Sequence, residues 1–107
     1  MHEFETYQSI NAIINGKKYK LWVANDKEKI RKGLSNIDAI PNLTGMIFIY
    51  NKPVKNNFTM KETRIPLDII FLDKKLKVVD FHSCKPFQID PVKPKRHYSF
   101  VIEIKSG

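Results

Sequence analysis

Asp80, His82 and Cys84 alternate within the run Asp-Phe-His-Ser-Cys. On a strand that parity puts three side chains on one face. With His97 supplied by a neighbouring segment, they would offer the ligand types of a zinc site, or the thiol, base and orienting acid of a nucleophilic centre. Geometry argues against both. Side chains two apart on one strand project in parallel and do not converge, and none of these spacings is a paired Cys or His motif. A lone cysteine also serves commonly as a small buried apolar side chain. The residues therefore imply no catalytic group, no metal and no cofactor, with His82, Cys84 and His97 the nearest approach to a ligand set.

A second group, Met60, Lys61, Thr63, Arg64 and Asp68, lies where a polar turn around Pro66 feeds the most apolar run of the chain. Two cations, a hydroxyl and a carboxylate on one turn could hold an anionic group or a peptide end. The structural alternative is that Asp68 orders the turn by accepting from loop amides or from Arg64. A third group, Lys18, Lys20 and Arg96, is interleaved with Tyr19, Trp22, Tyr98 and Phe100 in the manner of sheets that stack single-stranded nucleic acid, although core packing accounts for the same rings. The four glycines, Gly16, Gly33, Gly45 and Gly107, stand in turn or terminal contexts and form no phosphate-cradling loop.

The elements that must position these groups are mostly strands. Residues 9–14 and 18–24 are β-compatible runs joined by Asn15-Gly16, a hairpin dipeptide. Asn25 and Glu28 have the spacing of a helix cap. Ile30 and Leu34 would form the inner face of the helix, and Gly33 its stop. After a loop containing Pro41 and Gly45, residues 46–50 read as a buried strand ended by Lys52-Pro53. A brief extended segment over 58–60 precedes a second hairpin, 67–72 and 77–82, turning through 73–76. Pro86, Pro91 and Pro94 keep the next stretch irregular. In the final strand Tyr98, Phe100, Ile102 and Ile104 then alternate with Ser99, Val101, Glu103 and Lys105. The expected fold is mainly β with a minor α component. It is a compact pseudo-barrel of short, mostly antiparallel strands, closed or strongly curled, with one short helix near residues 26–33.

At 107 residues and 42% hydrophobic content, the chain suffices for one core, read as a single domain over 1–107 whose first few residues are flexible. The net charge of +8 favours an anionic partner such as nucleic acid, but the cations are dispersed along the chain. One cysteine allows no internal disulfide, no apolar run suffices for a membrane span, and residues 1–5 lack the basic start of a secretory signal. These features point to a cytoplasmic or intracellular protein, with a virus particle as another setting.

Lys32-Gly33-Leu34, Gly45-Met46-Ile47-Phe48, Phe58-Thr59-Met60-Lys61 and the run from Thr63 through Asp73 occur in an order and spacing that resemble the domain of unknown function 192 family, over about residues 21–107. The resemblance implies a small β pseudo-barrel with one helix and no established activity. The chain departs from the family at Thr59, where Trp is usual, at Glu62 (Asn), at Ser35 (Met) and near Leu76 (Gly). The residues and the resemblance together lead to a non-enzymatic binding or structural accessory module. It would dock on a protein partner or a larger assembly, such as a virus particle, through the surface around Met60, Lys61, Thr63, Arg64 and Asp68. A nucleic-acid-binding domain using Lys18, Lys20 and Arg96 is the first alternative, and a metal- or thiol-dependent enzyme the second.

Overall fold

The computed structural model describes residues 4–107, and the flexibility expected of the first few residues falls largely on residues 1–3, which lie outside the described residues. Asn15 and Gly16 both take positive φ (52° and 76°) and turn β1 (Ser9–Ile14) tightly into β2 (Lys17–Ala24), as the dipeptide predicts. The short helix α1 (Lys27–Lys32) follows, but Asp26 caps it instead of Asn25. The Asp26 carboxylate accepts from the Lys29 amide at 2.9 Å, because its extended backbone turns the side chain back over the free amides of the first turn. Gly33 ends the helix at φ 50°, its amide donating to the Lys29 carbonyl, and a Cβ there would press on the Phe48 ring at 3.3 Å.

Strand β3 (Thr44–Val54) is longer than the predicted 46–50. Gly45 is inside the strand and not in the preceding loop, and Lys52-Pro53 does not end it. Pairing with the last strand shifts register between Ile49 and Val54, so Pro53 stands where no ladder amide is needed. β4 (Leu67–Leu72) and β5 (Val78–Cys84) form the expected second hairpin, whose turn is held by the Asp73 carboxylate accepting from the Lys75 and Lys77 amides at 2.8 and 3.0 Å. The extended segment expected over 58–60 is reduced to one bridge, Phe58 to Val92, and β6 (Tyr98–Lys105) completes the set.

The six strands form one sheet in the order β1-β2-β3-β6-β4-β5. Every pairing is antiparallel except β2 with β3, which run parallel across the α1 crossover. The fold is mainly β, and the sheet stays open at β1 and β5. Both of its faces are apolar. Trp22, Met46, Phe48, Ile69, Phe71 and Val101 pack on one side with Leu34 and Met60, while Leu21, Val23, Ile47, Ile102 and Ile104 pack on the other. Sandwiched between β3 and β4, β6 has no solvent face. Ser99 and Glu103, which alternate along it with Tyr98, Phe100, Ile102 and Ile104, are only 5% and 6% exposed. Among the described residues no helix is long and apolar enough to cross a membrane.

Candidate functional site

Glu103 is the chemically unusual residue of the structure. In register it stands between Met46 of β3 and Ile69 of β4, so its side chain rises from the middle of the larger apolar face. Among the described residues it makes no hydrogen bond and no ion pair, yet no fully enclosed polar atom lacks a partner. Both statements hold because the carboxyl opens into a cleft of about 300 Å³. Burial pushes its pKa up to about 8, since little water reaches the charged form. An unpaired acid at such a depth costs stability unless something else uses it.

The cleft runs between the end of α1 and the loop over residues 56–63. Its apolar lining is Leu34, Phe48, Tyr50 and Phe58; Asn56, Asn57, Thr59 and Thr63 supply polar groups, and Arg31, Lys32 and Glu62 supply charges. The Phe48 and Phe58 rings meet nearly at right angles (83°) with centroids 5.4 Å apart, and Tyr98 backs them, 6.2 Å from Phe58. The loop is held in place by backbone bonds: the Asn36 amide donates to the Glu62 carbonyl at 2.7 Å, Thr63 to Met60 at 3.0 Å, and Phe87 to Thr63 at 3.0 Å. The Tyr98 hydroxyl donates to the Asn56 carbonyl at 2.8 Å. Burial, then the neighbouring Tyr98 and Glu103, raise the Tyr50 phenol, which stays protonated at neutral pH.

The groups singled out in the sequence are dispersed around this cleft. Met60 is not on the surface: at 1% exposed it belongs to the core, because its loop folds back over the sheet. Thr63 is buried and lines the cleft, while Lys61 is exposed outside it. Arg64 does not reach Asp68. Its guanidinium donates to Asp38 at 2.9 Å, and Asp68 accepts from the Ser83 hydroxyl on β5 at 2.8 Å. Lys20 pairs with Thr44 at the start of β3, whereas Arg96 precedes Tyr98, the partner of Val54 at the strand's far end. The rise of a strand separates these two levels by roughly 30 Å, and Lys18 lies farther still. The three cations do not form one patch.

Asp80, His82 and Cys84 do share the inner face of β5, as their parity predicts, but they do not converge with His97, which is exposed. Among the described residues no three potential metal ligands gather. His82 Nε2 lies 3.0 Å from Asp80 Oδ2, and Asp80 also accepts from the Phe81 and Lys95 amides. Burial pulls the Asp80 pKa upward, but His82 and the two amides outweigh it and leave the carboxyl below its ordinary value. Burial, helped by Glu103 and Asp68, raises the Cys84 thiol, so it is a poor nucleophile. Alternation along β6 does not by itself single out Glu103. The one available signal was its position in a strand apolar at both parities, where an acid has no solvent side.

The matches to known proteins agree with this fold. No curated protein matches the chain. Two solved structures superpose closely. One, described as a candidate transcription regulator from Sinorhizobium meliloti, has a TM-score of 0.85 at 20% identity, covering 94% of this chain and 83% of its own. The other, a protein of unknown function from Novosphingobium aromaticivorans, has a TM-score of 0.84 at 26% identity, covering 99% and 79%. The profile of the domain of unknown function 192 family, described as "Uncharacterized ACR", matches residues 10–107, and the chain belongs to that family.

Proposed function

We propose that this protein is a binding module whose ligand is a small polar molecule held in the cleft between α1 and residues 56–63. The observation that carries this reading is Glu103: a carboxyl 6% exposed, without a hydrogen-bond partner among the described residues, opening into a cleft with polar and aromatic walls. A buried acid left unpaired destabilises a fold by several kcal/mol, roughly, and its presence makes sense where a bound group satisfies it. Binding is better supported than catalysis because neither His82 nor Cys84 lines the cleft, and the Ser35 hydroxyl is engaged with the Lys32 carbonyl at 2.7 Å. The basic docking face expected around the 60–64 turn has less support, with Met60 in the core and Arg64 held by Asp38. A nucleic-acid role, in line with the description of the Sinorhizobium protein, has less support, because Lys18, Lys20 and Arg96 lie apart, and it rests on a likeness of fold.

The test is a crystal soak of the intact protein with a panel of small polar fragments. Occupancy concentrated against Glu103, Tyr50 and Thr63 is the expected result. Fragments found only elsewhere on the surface would sink the reading.

A further inference from the structure

We infer that the ligand of this cleft is a small zwitterion, with its ammonium group seated against Glu103 and the aromatic wall and its anionic group paired with Arg31 at the mouth. The inference rests on the proposed binding role of the cleft and specifies the chemistry recognised there.

The floor suits a cation. Glu103, once ionised, supplies the negative partner, and Phe48, Tyr50 and Phe58 line the same cleft, the two phenylalanine rings packed edge to face. Aromatic side chains beside an acid recur in sites that hold alkylammonium groups, because ring faces attract positive charge and the carboxylate completes a charge-assisted hydrogen bond. An anionic group placed on the floor would find a single neutral carboxyl to donate to it and no cation beside it, whereas an ammonium group can ionise Glu103 and pair with it.

The mouth suits an anion. Arg31 lines it, is exposed, and makes no ion pair among the described residues; Lys32 stands beside it. A purely cationic ligand would have to approach a chain of net charge +8 and pass these side chains. A molecule carrying both signs meets favourable charge at both ends. The volume, about 300 Å³, lies at the lower limit for ligand sites and restricts the occupant to a small compound.

Seating an ammonium group also moves a proton. The free carboxyl, raised to about 8 by burial, is mostly protonated at neutral pH. A bound cation favours its ionised form, so binding releases close to one proton to solvent, by the linkage of charge and ionisation. The other titratable or charged groups of the cleft are Tyr50 on β3, Arg31 and Lys32 on α1, and Glu62 in the loop, while Cys84 on β5, outside the lining, is close enough to feel the Glu103 charge. The phenol and the thiol are both shifted upward and stay protonated, which leaves Glu103 as the source of the proton.

The experiment is calorimetric titration of the intact protein with O-phosphoethanolamine and γ-aminobutyrate, and with ethanolamine, inorganic phosphate and glucose as single-feature probes. Amide shifts of Gly33 and Thr63 locate any binding. At least one zwitterion should bind about tenfold or more tighter than ethanolamine or phosphate alone, and its identity distinguishes a phosphate from a carboxylate at the mouth. Glu103→Gln should weaken it about tenfold or more and abolish proton release, and the exposed Arg31→Ala roughly threefold. Proton release is read by repeating the titration in buffers of different ionisation enthalpy. If glucose shifts those amides and neither zwitterion does, the zwitterion is wrong and the cleft remains a binding site. Silence from every probe overturns both.

Discussion

Gly45 on β3 and Glu103 on β6 meet backbone to backbone: a Cβ added to Gly45 would run into the Glu103 carbonyl oxygen and lie 2.8 Å from the Ile104 side chain. The close approach brings β3 against the central strand at the level where Glu103 turns into the apolar face, so the glycine helps to place the acid.

Gly45→Ala is therefore expected to destabilise the protein by about 3 kcal/mol, since the obstacle is backbone and cannot swing aside. Urea denaturation measures this. A loss under about 1 kcal/mol would mean that β3 and β6 separate easily, and the close contact would then not position Glu103.

Glu103 gives the fold an inverted pH response. Its folded pKa, about 8, lies above the ordinary 4.5, so the folded state holds the proton more tightly than the unfolded chain. The contribution is fully present below the ordinary value and lost as pH rises through the folded one, at a slope approaching roughly 1.4 kcal/mol per pH unit. Glu103→Gln should flatten this decline and be the more stable protein at alkaline pH. Denaturation curves at several pH values check it, and equal slopes for the two proteins would show that the carboxyl ionises freely in the fold.

Leu76 sits in the turn between β4 and β5 at φ 66° while 63% exposed. A left-handed backbone strains a branched side chain that gains little from packing here. Leu76→Gly should stabilise the protein by about 0.5–1 kcal/mol, the relief of strain exceeding the entropy that glycine adds to the unfolded chain. Thermal melting reads the change, and a lower melting temperature would show that the leucine packs after all.

Cys84 is 3% exposed, and its thiol is shifted upward by burial. Modification by a soluble thiol reagent should be roughly a hundredfold or more slower in the native protein than in urea, and should follow unfolding. Fast labelling of the native protein would revive the thiol-dependent reading.

Local chemistry was legible in the sequence. The Asn15-Gly16 turn, the stop at Gly33, the second hairpin, the shared parity of Asp80, His82 and Cys84, and the mainly β class all follow from preferences acting over a few residues, which composition and spacing record. So did the likeness that led to the family. Strand order, and with it the site, depended on contacts distant in the chain. Alternation says which residues share a face of a strand but not whether that face meets water, and β6 became buried on both sides only when β3 and β4 closed around it. Pairing with Asp38 took Arg64 away from Asp68, core packing took Met60 from the surface, and the same burial turned Glu103 from an apparent surface acid into the floor of a cleft.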